Sequence, residues 1–484
     1  MRTRSFNYLA GLVLCLMLVS LLAACGDNTA TQPPAATTAA ATTASSTGGA
    51  ATTAASGATT AAGTGNWSLA EAAKPYKGQK VTLATVAWKD ATVDLAKQFT
   101  QQTGIDLEVV QLPNADLLTK TLLDARTKTG AYDIVAHTYM TPYARPNYLV
   151  PLDEFMKGSL ADPNYNTADI VNANFYTKYN NQTVALPFGS SALVLYYRKD
   201  LFDNPQYQAD FKARYGYDLK PPADWNQYLD ISKFFTETDW KGPSGEKGYG
   251  VAAYGKREFS MTYIYQLQFG SLEALKENTK VGLLDNKYQP TFNNATGEAA
   301  LDVWKQSLQY SPPGVMQNGN TETRDIFAKG LTAMNINWDS AIGTLTNSPV
   351  KDKWAMAAIP GRTVLGGWTL SVSSASKHKE AAFLAAQFLT SVQADQYLFD
   401  KAGRYPGRVS TYNSDNYKKI NPYADILAKS KQDAVPQIDV ENTQIDTLVS
   451  EQISLFLNGQ QDNKTTVKQM NDGITKILKD GGWS

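Results

Sequence analysis

The sequence predicts an α/β fold in which parallel strands carry helices on both faces. Two observations lead there. Strand-like and helix-like patterns alternate as β-α-β-α-β from residue 81, and 484 residues are too many for one compact core while sufficing for two lobes of ordinary size. Val81-Thr82-Leu83-Ala84-Thr85-Val86 alternates with the two-residue period of a strand. A helix follows with Thr92, Leu95, Ala96 and Phe99 on one face, stopped by Gly104, a residue suited to a left-handed cap. Ile105 to Val109 alternates again. Asn114 then caps a helix bearing Leu117, Leu118, Thr121, Leu122 and Ala125, closed by Gly130, and Tyr132 to Ala136 is a third strand. Farther on, Leu193 to Tyr197 and Gly250 to Tyr254 are strand-like and Trp225 to Phe235 is helical. Helices recur near 295–309, 321–329, 377–392, 442–457 and 463–480, so the second half is the more helical.

Ahead of this body stands an export signal at 1–24: Arg2 and Arg4, an apolar run from about Leu9, and Leu22-Ala23-Ala24 before Cys25. The run is marginal for a span that needs ~20 residues. The pattern resembles the lipobox of bacterial lipoproteins, which implies a lipid anchor on Cys25 and a mature chain of 460 residues held at a membrane. Residues 25–66 are nearly all Ala, Thr, Ser, Gly and Pro, a composition without the large side chains that repay ordering, so a disordered spacer of roughly 35 Å is expected.

Lys+Arg 45 against Asp+Glu 45 leaves no net charge, so neither nucleic acid nor an electrostatic membrane surface is indicated as a partner. The two cysteines, Cys15 and Cys25, fall in the signal and at the anchor, which excludes disulfides within the body. Two histidines, His137 and His378, cannot build a multi-histidine zinc site, and no metal or cofactor is expected. Aromatics reach 11%, a rich stock of flat apolar faces.

Ala185-Leu186-Pro187-Phe188-Gly189-Ser190-Ser191 running into Leu195-Tyr196-Tyr197-Arg198-Lys199-Asp200-Leu201-Phe202 resembles the extracellular solute-binding proteins of ABC importers, in the sugar-binding branch that includes maltose-binding proteins. Further similar segments follow in order. They are Pro221 to Trp225, Phe327 to Met334, Gly366-Gly367-Trp368-Thr369-Leu370-Ser371-Val372, Lys377 to Ala382, and the Gly403-Arg404-Tyr405-Pro406-Gly407-Arg408 turn. Asp224 stands where the family often carries Thr, and either residue caps a helix. The resemblance implies a two-lobe periplasmic-binding-protein-like fold (type II) with a hinge between the lobes. Lobe one is placed at 79–190 and 335–368, and lobe two at 191–334 and 369–484. It also implies a monomer that binds a carbohydrate without altering it and delivers it to an ABC transporter permease.

A sugar presents apolar ring faces and a rim of hydroxyls, so its site needs flat aromatics and polar edges. Ligands of such sheets collect beyond the strand ends, where Trp88, His137 and Tyr139 fall. Trp338 and Asp339 end the strand from Ala333. Gly367 and Trp368 sit at a crossing, and Ser190, Tyr254 and Arg408 complete the candidate set. Tyr254 has Phe259 and Tyr263 nearby as a second platform, and Asp339 is the expected rim acceptor. Two other classes fit the composition: a secreted carbohydrate hydrolase with two facing carboxyls, and a binder of a polyol phosphate or another non-sugar solute, which needs converging Arg or Lys.

Overall fold

The computed structural model describes residues 67–86, 89–277 and 282–483. The leader, Cys25 and the spacer lie outside the described residues, as does Trp88. The strands are β1 (Lys80–Thr85), β2 (Asp106–Gln111), β3 (Ile134–His137), β4 (Lys178–Tyr179), β5 (Gln182–Thr183) and β6 (Leu186–Arg198). After these come β7 (Tyr249–Ala252), β8 (Thr332–Trp338), β9 (Trp354–Ala357), β10 (Val364–Val372) and β11 (Val435–Pro436). Nine of them share a sheet in the order β2-β1-β3-β10-β6-β8-β7, with β11 on β10 and β9 on β6, while β4 and β5 pair separately.

The predicted β-α-β-α-β opening is present. β1 pairs in parallel with β2 and β3, and the crossover helices are Lys89–Thr103 and Asn114–Thr127. The second helix ends differently from expectation: Lys128, not Gly130, takes the left-handed cap conformation, and Pro113 occupies the N-cap ahead of Asn114. Asp224 caps its helix by accepting from Gln227 N at 2.9 Å, as its position predicted.

Two large hydrophobic cores organise this sheet. The first gathers Val81, Leu83, Leu95, Phe99, Ile134, Leu186, Phe188, Leu370 and Phe383; the second gathers Leu193, Leu195, Trp225, Phe235, Tyr265, Trp304, Met334 and Ile453. β6 runs from the first core into the second. Its leading half pairs with β10, and its trailing half pairs with β8 and β9. β10 runs the opposite way, from β11 at Val364 to β3 at Val372.

This packing departs from the expected chain division. Ile336 of β8 lies in the second core with Ala333 and Met334, whereas Leu370 to Leu398 belong to the first, because β10 carries the chain back and the helix Lys379–Leu389 then packs on Lys89–Thr103.

Candidate ligand-binding site

The site is built where β6 and β10 cross antiparallel between the cores. Gly367 faces Ser190, Trp368 faces Gly189, and the register slips after Trp368. Both Gly189 (φ +151) and Gly367 (φ +129) hold backbone conformations that side chains disfavour. A Cβ on Gly367 would stand 2.3 Å from Gly189 O, so Gly367 lets the two strands touch instead of admitting a ligand.

Beneath the crossing lies a buried charge pair. Asp339 is 2% exposed; its Oδ1 accepts from Ser191 Oγ at 2.6 Å and its Oδ2 lies 2.6 Å from Lys431 Nζ. Lys431 also donates to Ser190 O and to the Tyr412 hydroxyl, and burial pulls its pKa down against the raising effect of Asp339. Both expectations at this spot are corrected. Asp339 is neutralised by a cation and shut away from any ligand, and Ser190, fully buried, has its Oγ bonded by Tyr176.

Other candidates are structural. The His137 ring is buried with Nε2 2.8 Å from Ser371 Oγ, and since that hydroxyl gives its proton to Val184 O, the imidazole donates from Nε2. Burial holds its pKa down at about 3, so it stays neutral and braces β3 against β10. Arg408 is buried as well. Its guanidinium donates to Thr390 O and Asn166 O and lies 4.4 Å from the Tyr165 ring centroid, a brace and not a ligand contact. Tyr254 sits in the second core, its hydroxyl bonded to Asn320 and its carbonyl accepting from Trp304.

The remaining candidates do converge on the crossing. Trp338 is half-buried, with its ring 5.2 Å from Tyr263 at a steep angle and its far edge against Gly366. Trp368, also half-buried, packs on the first core. Tyr139, beyond β3, donates to Gln437 Oε1 at 3.3 Å, and Gln437 in turn donates to Leu365 O. Tyr139 lies beside Asp439 and Asp446, and burial followed by these two charges pushes its hydroxyl pKa far up.

Asp439 accepts from Thr141 N (2.9 Å) and Thr141 Oγ1 (2.7 Å), while Gln266 donates to Pro436 O from the helix Ser260–Glu277. Trp338 thus sits between Tyr263 and Gly366, and Gln437 links Tyr139 to β10. Gln266, Gln437, Asp439 and Asp446 were missed in the sequence because no motif marks them. Segment 435–446 joins the site only through tertiary contact with β10 and with the loop after β3.

The chain belongs to the bacterial extracellular solute-binding proteins, the family it matches over residues 85–396. A mannitol-binding protein of Pseudomonas aeruginosa is 25% identical over 328 residues, covering 62% of this chain and 70% of its own length. A probable amino-acid ABC transporter periplasmic-binding protein of Sinorhizobium fredii is 24% identical over 361 residues, covering 73% and 78%. An ABC transporter solute-binding protein of Agrobacterium radiobacter, solved with ribitol, has a TM-score of 0.69 at 24% identity over 84% of this chain and 100% of that one. Maltose-bound T. maritima MalE3 gives 0.68 at 21% over 83% and 100%. The fold is thus the two-lobe one of the MalE-like proteins, as the resemblance implied. Members of the family act outside the cytoplasm as the substrate-binding components of ABC transporters.

Proposed function

We propose that this chain captures a polyhydroxylated solute, a sugar or polyol, between its two lobes and passes it to an ABC permease, held at the membrane by a lipid on Cys25. One observation carries the ligand reading: two half-buried indoles, Trp338 and Trp368, flank the strand crossing while Tyr139, Gln266 and Gln437 supply polar edges. Indole faces match sugar C–H patches, and the amides and hydroxyl match its rim. The mannitol-binding relative and the ribitol and maltose complexes support the same class. Cys25 after Leu22-Ala23-Ala24 supports the tether.

The two cores support revised lobe limits. Lobe one comprises residues 79–190 and 367–402, lobe two comprises 191–366 and the chain from about 435, and the small cluster around Tyr412, Tyr417 and Leu427 sits against β6 on the second side. Closure follows from ligand touching both lobes, and the difference in contact free energy sets the shift.

A thermal-shift screen over monosaccharides, oligosaccharides, polyols, phosphate esters and amino acids tests the reading, since a bound ligand at a hundredfold its Kd stabilises by about 2.7 kcal/mol. Sugars or polyols are expected to shift the transition, and Trp338→Ala and Trp368→Ala to weaken binding about tenfold or more with the fold intact by circular dichroism. A response confined to phosphate esters or to amino acids overturns it. Incubation with oligosaccharides is expected to release no reducing ends.

A further inference from the structure

Segment 437–441, which follows β11, alternates as a strand does. Ile438 (9% exposed) and Val440 (6% exposed) belong to the second core, whereas Gln437, Asp439 and Glu441 are half-buried and meet the chain that follows β3. Each of these polar residues has a partner there. The Tyr139 hydroxyl donates to Gln437 Oε1 at 3.3 Å, Thr141 donates to Asp439 Oδ2 from both its N (2.9 Å) and its Oγ1 (2.7 Å), and Arg145 pairs with Glu441 at 3.6 Å. The first two contacts span the same 298 residues of sequence, so the two stretches run side by side in one direction.

Each stretch is fixed to its own side. Met140, Tyr143 and Ala144 pack with Val135 of β3, and the Tyr143 hydroxyl lies 2.7 Å from Thr121 Oγ1 on the helix Asn114–Thr127. On the other side Gln266 of the helix Ser260–Glu277 donates to Pro436 O, and β11 pairs with the start of β10. The helix Asn442–Leu457 then carries the chain into the second core through Ile445 and Val449. Thr141 is buried, so its N–H and hydroxyl depend on Asp439 for an acceptor, and a buried donor left without one costs free energy.

We infer that segment 437–441 is a strap between the lobes, which sets Gln437 onto Tyr139 and Asp439 onto Thr141 as the lobes meet and so favours the closed form by bonds between protein groups. This rests on the reading that the solute is held between two lobes that close. Asp439 acts here as a positioning residue: it fixes Thr141, and with it the loop that carries Tyr139, against the second side. Bonds between Asp439 and Thr141 contain no solute atom, so they shift closing by the same factor for every solute and raise affinity without choosing among them. The alternation explains the division of labour, since one edge of the segment anchors it in the second core and the other reaches the first side.

The chain from Gly26 onward contains no cysteine, so spin labels at Lys97→Cys on the first side and Lys220→Cys on the second read lobe separation directly. Without solute, Asp439→Ala is expected to lower the ratio of closed to open molecules about tenfold relative to Asp439→Asn, which keeps an acceptor for Thr141. Thr141→Val, which keeps the N–H bond and loses the hydroxyl, is expected to lower it about threefold relative to wild type, and it carries the same test should Asp439→Ala not fold. Equal distance distributions in the Ala and Asn variants, or in Thr141→Val and wild type, overturn the strap. Stopped-flow tryptophan fluorescence with D-mannitol and with maltose as probes then reads release, expected about tenfold faster in Asp439→Ala than in Asp439→Asn with the preference between the probes unchanged. A changed preference overturns the positioning role. Failure of wild type to bind either probe or any solute of the thermal-shift screen counts against the solute reading alone, because the distance measurement decides the strap without a ligand.

Discussion

Asp339 illustrates how one residue's meaning depends on a distant partner. At a strand end after a tryptophan it has every local mark of a ligand acceptor, yet Lys431 occupies one of its oxygens and Ser191 the other. No spacing or motif links residue 339 to residue 431, so this burial was not legible in the sequence. The placement of Trp338 and Trp368 beside the crossing was legible, because the glycine pair and the strand end mark it in the sequence. Lys431→Met would leave a carboxylate in the interior without its cation and is expected to destabilise the protein by about 3–5 kcal/mol in urea denaturation. Asp439 and Asp446 give a second expectation. Asp439 and Asp446 titrate at about 6 and about 7 when folded, above the ordinary 3.8, so the folded state binds more protons between these values. Their contribution to stability is complete below about pH 4 and is lost as pH rises through 6 to 7. The ligand-free protein should therefore show a falling urea midpoint from pH 4 to 7.5, and that slope should flatten in the double Asn variant.

At the scale of elements, the crossing of β6 and β10 decides the geometry of the site. The sequence read β6 as residues 193–197 only, because the strand is buried over nearly its whole length and so lacks the alternation that marks a half-exposed strand. The opening unit, by contrast, is punctuated by Gly104 and by polar helix faces, and its strands and helices fall close to the predicted positions. The helix expected at 377–392 is Lys379–Leu389, and a further helix not expected, Val392–Ala402, follows it where Ser391 caps by accepting from Ala394 N. Gly367→Ala would put a Cβ onto Gly189 O in a strained backbone conformation and is expected to cost at least about 1–3 kcal/mol and to reduce ligand affinity. Gly343→Ala, in a short helix with nothing within 4 Å of the new atom, should leave stability unchanged or raise it by up to about 1 kcal/mol. Equal denaturation midpoints for the two variants would contradict the role given to the crossing.

The whole molecule adds a long-range contact that no local pattern announced. Arg145, just past the helix Thr141–Ala144, lies 4.0 Å from the Trp483 ring centroid and pairs with Glu441, while Trp483 Nε1 donates to Glu441 at 3.0 Å. Trp483 packs against the second core, and Arg145 follows β3 of the first. This clasp ties the segment after β3 to the C-terminal residues. Arg145→Ala is expected to raise the ligand-free radius of gyration in small-angle scattering and to weaken affinity about two- to fivefold, the worth of a partly exposed cation–π contact. An unchanged radius would mean that the clasp does not bias closure. Two lobes and a hinge were legible from ordered segments along the chain, but the direction in which β10 returns was not, since that depends on which core receives the helices after it. The two ion pairs sealed below the crossing, Asp339 with Lys431 and Asp395 with Arg404, also have a consequence for the surroundings in which the protein works. Mobile salt ions screen charges they can approach, and these they cannot. The hinge framework therefore keeps the same cohesion in dilute and in briny water, which suits a receptor exposed to whatever its cell is bathed in.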